Sequence, residues 1–213
     1  MTSLRKSLKN VAIAFALVFV FPWAAMELLV RRIAGRDVWF LMHTEFISLI
    51  PGKTGVYIRN AYYFLALSKC PLDCGISFGS IISKNSTEVG HRVYIGWRTF
   101  IGLATIGDDS MISDSVQILS GKHQHGTTIP GVPFQSQPQS FTRVRIGKNT
   151  WIGANAVIMA DVGDNCVIGA GSIVTNPVPE NSVAVGNPAK IIRSTISAQT
   201  GLEAALPVAA SEV

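Results

Sequence analysis

The chain has 213 residues, of which 48% are hydrophobic and 15% charged, with a formal net charge of +5. That length fits one ordinary domain with extensions, and the composition is apolar for a protein living wholly in water. The positive excess lies in residues 1–60, which hold eight Lys/Arg against three Asp/Glu, whereas residues 61–213 hold ten of each. This points to an anionic membrane surface and away from nucleic acid, since no basic stripe with interleaved aromatics follows. The three cysteines, Cys70, Cys74 and Cys166, are too few and too irregularly spaced for a disulfide framework, and fit a reducing compartment. Cys70 and Cys74 stand as C-x3-C without a second pair, so they read as indifferent thiols and not as a zinc site.

Residues 1–36 form the first predicted element. "VAIAFALVFVFPWAAMELLV", residues 11–30, is long enough as a helix to match the bilayer core, at about 30 Å. Arg5, Lys6 and Lys9 precede it, and Arg31, Arg32 and Arg36 follow. No clear small-x-small cleavage site appears, so the segment reads as an anchor and not a removed signal peptide. Pro22 interrupts the backbone donors at mid-segment, and Glu27 stands four residues before Arg31. Cations on both flanks leave the orientation open. Two topologies remain: a plain span, and a re-entrant helix bent at Pro22 that keeps both basic flanks and the rest of the chain on the cytoplasmic side. Residues 37–75 then offer two apolar runs separated by the turn "PGKTG", expected as amphipathic helices lying in the membrane interface.

From residue 76 the period changes. Ile95, Ile101, Ile106, Ile112 and Ile118 recur every five or six residues. Ile146, Ile152, Ile158 and Ile168 resume the pattern. Most are followed by Gly. Four residues on stand Thr99, Thr105, Ser110 and Val116, then Thr150, Ala156, Val162 and Ser172. A large aliphatic and a small corner residue at period six predict a parallel β-helix, with about five coils over residues 76–120 and 143–186. An ordinary β-sandwich would instead show period-two alternation. Ile158 and Ile168 are ten residues apart where twelve would be regular, which predicts one tightened corner. The pattern stops over residues 121–142, which leave as a loop with "KHQH" at its root. Residues 194–213 have no period and read as a tail.

"RIGKNTWIGANAVIMADVGDNCVIGAGSIVTNPVPENSVAVGNPAKII" resembles the C-terminal half of the hexapeptide-repeat acyltransferases, and the resemblance covers roughly residues 76–193. It implies an all-β, left-handed parallel β-helix, here preceded by an α-helical membrane-associated region, and a homotrimer. Residues 1–75 more loosely resemble membrane-associated sugar or polysaccharide O-acetyltransferases of the same superfamily. The resemblance implies acetyl-CoA as donor and a sugar or glycolipid hydroxyl as acceptor, with membrane lipid as a further partner. It also implies a histidine on a loop at a subunit interface acting as general base. His123 is favoured by its distance from the last inward aliphatic; His125, two residues on, is the alternative. For coenzyme A the same resemblance implies backbone contacts at Gly153, Ala154, Ala170 and Gly171, a further contact at Thr175, and cations Lys190 and Arg193 at the adenosine end. The family often has lysine after the position of Thr175; this chain has Asn176. Trp151 would cover the pantetheine arm or pack outward.

A zinc reading by His91, His123 and His125, as in carbonic anhydrases of this fold, lacks a third ligand beside H-x-H, so no metal is expected. The competing expectations are a soluble acceptor, as in serine acetyltransferases, and a non-catalytic scaffold. The leading one places the enzyme at the inner membrane with its catalytic domain in the cytoplasm.

Overall fold

The computed structural model describes residues 3–34 and 38–196. Helices α1 (Ser3–Ala34), α2 (Val38–Ser48) and α3 (Gly52–Ala66) precede a left-handed parallel β-helix of three narrow sheets. Each strand is only two or three residues long over most of the coil, because a six-residue step leaves room for little more before the next corner.

The three faces are three columns of stacked aliphatics. On face I, Ile76, Ile95, Ile112, Ile152, Ile168 and Ala184 lie in register. Face II stacks Ile82, Ile101, Ile118, Ile158 and Val174. Face III stacks Val89, Ile106, Ile146, Val162 and Val178. All sixteen side chains are buried, so the prism interior is a continuous apolar core that no single coil could enclose. Corners are held by polar caps that the isoleucine pattern did not reveal. The Asp108, Asp114, Asp161 and Asp164 carboxylates each accept a backbone N–H from the preceding coil, at 2.8 Å. Asn149, Asn165 and Asn181 stack at the corner between faces III and I, with φ of 50°, 55° and 58° and amide bonds of 3.0 and 3.1 Å between them. Asn tolerates the left-handed region because its short amide can bond locally.

Two sequence assignments shift. Thr105 was expected as a buried corner residue; the coil is one residue short there, so Ala104 is fully buried and Thr105 sits on the outer surface of face III. Val162 was likewise expected at a corner, but it is an inward rung of face III, bridging Ile146 and Val178. The ten-residue gap between Ile158 and Ile168 is thus a four-residue corner followed by a normal step.

Both ends of the prism need closure, since an end coil has unpaired backbone groups. At the far end, Lys190–Ser194 folds back antiparallel on Ser182–Val185. At the near end, α3 supplies the partners. The fully buried Arg59 donates from Nε to the Ile76 carbonyl at 2.9 Å, and from Nη1 to Ile47 and Ile50 carbonyls at 3.1 and 2.8 Å. The Asn60 amide donates to the Cys74 carbonyl. The Tyr63 hydroxyl accepts the Ile82 N–H at 3.1 Å. One helix therefore caps the β-helix and, through Arg59, ties down the C-terminal end of α2.

Helix α1 is one continuous 32-residue helix with Pro22 inside it. Proline removes a single ladder bond, and the packing of neighbouring helices keeps such a helix continuous. Ala16, Val20, Ala24 and Glu27 form its buried stripe at helical spacing. The Trp23 indole stacks on His43 at 6.0 Å and meets Phe46 edge-on at 5.6 Å. Arg36 and residues 197–213 of the expected tail lie outside the described residues.

Candidate active site

The insertion at residues 121–142 leaves the prism at the corner between faces II and III. Its two ends are pinned together: the Thr142 N–H donates to the Ser120 carbonyl at 2.9 Å, and the Ser120 hydroxyl accepts the Leu103 N–H at 2.9 Å. Gly121 makes the exit turn at φ +82°, where a side chain would lie 3.0 Å from the Thr142 Cβ. Beyond it the loop doubles back on itself. His125 pairs with Gln139 in an antiparallel bridge, flanked by Gly126 N–H to Pro138 carbonyl at 2.9 Å and Ser140 N–H to Gln124 carbonyl at 3.2 Å. The buried Gln137 amide ties the tip by bonding the Ile129 and Val132 carbonyls at 3.3 and 3.0 Å. The loop is therefore a built structure. Its root presents His123 and His125, both exposed, beside Lys122.

The other predicted residues fall at different places. Gly153, Ala154, Ala170 and Gly171 share the corner between faces I and II on consecutive coils; the Gly171 N–H donates to the Ala154 carbonyl at 2.8 Å. At Gly153 a Cβ would stand 2.5 Å from the Ala170 backbone nitrogen, so the coils close up only around glycine. Thr175 and Asn176 lie at the corner between faces II and III, above the root of the histidine loop, with the Asn176 amide 3.5 Å from the Thr175 hydroxyl. Trp151 points outward from face I, half-exposed, and its indole donates to the Ser113 hydroxyl at 3.1 Å. Exposed Lys190 and Arg193 lie on the closing strand at the far end.

The histidines and the Gly153–Gly171 column thus sit on neighbouring corners with face II between them. One six-residue step of extended chain spans roughly 15–20 Å. Within one protomer the two groups do not share a groove. His91, the third histidine of the metal reading, lies far down the prism and bonds Asp73 at 3.0 Å. Burial works against the Asp73 carboxylate, but the His91 ring and the Arg92 N–H outweigh it and hold its pKa below the usual range. No group of three metal-ligating side chains occurs among the described residues.

Residues 143–176 match the family model for the hexapeptide repeat of succinyl-transferase. That stretch carries the hexapeptide repeat. The chain is 33% identical over 122 residues to an Escherichia coli (strain K12) protein named as a lipopolysaccharide biosynthesis O-acetyl transferase, WbbJ, a match covering 54% of this chain. The chain spans 61% of that relative's own length. Among solved structures it is similar to a maltose O-acetyltransferase from Clostridium difficile 630, with TM-score 0.63, 25% identity, and coverage of 73% of this chain and 84% of the other. The fold also matches a galactoside acetyltransferase in complex with coenzyme A, at TM-score 0.65 and 24% identity, covering 81% and 86%.

The sequence had no signal for the aspartate caps, for the α3 closure or for Gln137. A lone Asp or Gln in a loop carries no period, and only the fold gives each its partner.

Proposed function

We propose that this hexapeptide-repeat protein is an acetyl-CoA-dependent O-acetyltransferase that modifies a hydroxyl of a lipid-linked or polysaccharide-precursor sugar at a membrane. The observation that carries this reading is the ordered loop that breaks the repeat and presents two exposed histidines at one corner of the prism. Similarity to proteins named as O-acetyltransferases supports the reaction class.

In this reading the base and the donor column come from different protomers. A partner's corner of Gly153, Ala154, Ala170 and Gly171 docks beside the histidine loop, as in a threefold assembly. The bound donor supplies an activated acetyl group as a thioester. The His123 ring removes the proton of the acceptor hydroxyl as its oxygen attacks the thioester carbonyl. The tetrahedral oxyanion then collapses, the C–S bond breaks, and the imidazolium returns its proton to the leaving thiolate. Histidine suits both transfers because its ordinary pKa lies near neutrality. Lys190 and Arg193 on the closing strand meet the phosphates by charge-assisted bonds. Asn176 offers only a neutral amide where a cation would add to that attraction, and Trp151 offers an exposed indole to the pantetheine arm.

The test is acetyl transfer from acetyl-CoA to a panel of sugar acceptors. His123→Ala lowers kcat by about 10²–10⁴-fold without changing the oligomer. Full activity in His123→Ala with loss in His125→Ala would move the base to His125. Full activity in both would end the mechanism, and no thioester turnover by the wild type would leave a scaffold.

A further inference from the structure

Helix α1 is apolar all round, yet its two sides have different neighbours. Ala16, Val20, Ala24 and Glu27 are buried, with α3 as the main packing partner of the helix. The other side exposes Phe15, Val18, Phe19, Phe21, Met26 and Leu29. Trp39, Met42 and Phe46 of α2 are exposed as well, and the contact of Trp23 with Phe46 joins the two sides into one surface. An apolar surface of that extent is far beyond the scattered exposed residues of a water-soluble monomer. Cations rim it: Lys9, Arg32 and Lys53 are exposed, and Arg31 is half-buried in the last turn of α1.

We propose that α1 lies along a single anionic leaflet, immersed about to its axis, and neither crosses the bilayer nor turns back within it. This rests on the membrane reading above and fixes its geometry. A span would centre residues 16–25 in the hydrocarbon with lipid on all sides, but that stretch carries the stripe packed on α3. Helix α3 is fastened in turn to the first coil through Arg59, Asn60 and Tyr63. Crossing would drag the Arg59 guanidinium and the backbone rim of the β-helix into a medium that offers polar groups no partner. Lying flat satisfies every part. The apolar half meets acyl chains, the packed half stays on protein, and the long cationic side chains reach phosphates of the same leaflet. A second copy of the chain would fit the apolar area but leave the basic rim without a counter-charge; an anionic headgroup layer matches both. The β-helix then stands on the membrane through its α3-capped end, which brings the histidine loop within reach of a lipid-linked acceptor.

The experiment uses the full chain. Flotation compares phosphatidylcholine vesicles with vesicles that also contain phosphatidylglycerol. Binding is expected to need the anionic lipid and to weaken with salt. The double variant Phe15→Glu/Val18→Glu, at two of the most exposed apolar positions of α1, should lose about 10²-fold or more in partitioning with an unchanged far-UV CD spectrum. For topology, single cysteines replace Ser3 and Lys148, the native thiols being buried. In inverted cytoplasmic-membrane vesicles an impermeant maleimide should label both positions from outside. Labelling of the two from opposite faces would overturn the flat geometry in favour of a span. A chain that neither floats nor sediments with membranes would overturn the membrane reading itself and assign the surface to contacts between copies. Transfer to a soluble sugar is measured separately, so neither result touches the catalytic reading.

Discussion

Ile152 and Trp151 are neighbours in sequence and opposites in environment, which makes the pair a direct probe of the coil. Ile152 is fully buried between Ile112 and Ile168 on face I. Ile152→Ala removes three carbons, about 2.4 kcal/mol at ~0.8 kcal/mol per buried methylene. A cavity term adds to this, because the flanking coils cannot collapse inward. They are held apart by backbone bonds from Ser113 N–H to the Ile152 carbonyl at 2.9 Å and from Gly153 N–H to the Ile168 carbonyl at 2.8 Å. The expected total is about 3–4 kcal/mol, within the usual range for such truncations. Trp151→Ala removes a larger side chain, but one that is 48% exposed with a single surface hydrogen bond to Ser113. Its cost to the fold should be about 1 kcal/mol or less. Urea unfolding followed by far-UV CD, at fixed protein concentration and in the same detergent, compares the two. A smaller loss for Ile152→Ala than for Trp151→Ala would mean that the inward and outward positions are exchanged, and the register of face I would fall with it.

Lys190→Ala should raise the KM for acetyl-CoA several-fold and leave kcat nearly unchanged, since a phosphate contact binds ground and transition states alike; an unchanged KM, read from initial rates, removes Lys190 from the donor site. Burial holds the His43 pKa below its ordinary 6.5, with the ring stacked on Trp23 and its Nδ1 3.4 Å from the Tyr62 hydroxyl. Neutral His43 is therefore the folded form. The stability it contributes is present above about pH 6.5 and is lost as pH falls toward the folded-state value. Thermal unfolding at pH 7.5 and 5.5 should show a lower midpoint in acid, and His43→Phe should flatten that difference. Gly147→Ala would place a Cβ 2.4 Å from the Asp164 backbone nitrogen, so it should lower the unfolding midpoint markedly. A neutral result by calorimetry would show that the coils have room to separate.

Some features of this protein were fixed by local chemistry and so could be read directly. A period of six with a large aliphatic at one position has one economical solution, a coil whose like residues stack. Ile95, Ile112, Ile152 and Ile168 duly share a column although as many as 40 residues separate consecutive members. The loop announced itself because it breaks that period, and the charge excess marked residues 1–60 without reference to shape. Other features depended on distances in space. Thr105 and Val162 could not be placed from spacing, because a coil one or two residues short can tighten at more than one corner, and stacking with the neighbouring coils decides which. The unbroken course of α1 through Pro22 depended on α3 beside it. The separation of the histidines from the Gly153–Gly171 column by face II was invisible in sequence, since spacing along the chain does not say which corner a residue occupies. Only the triangular cross-section puts them on different corners. Arg59 shows the limit most clearly. In sequence it is only one of the eight cations of residues 1–60, and the fold buries it between the Ile76 carbonyl of the first coil and the Ile47 and Ile50 carbonyls at the end of α2.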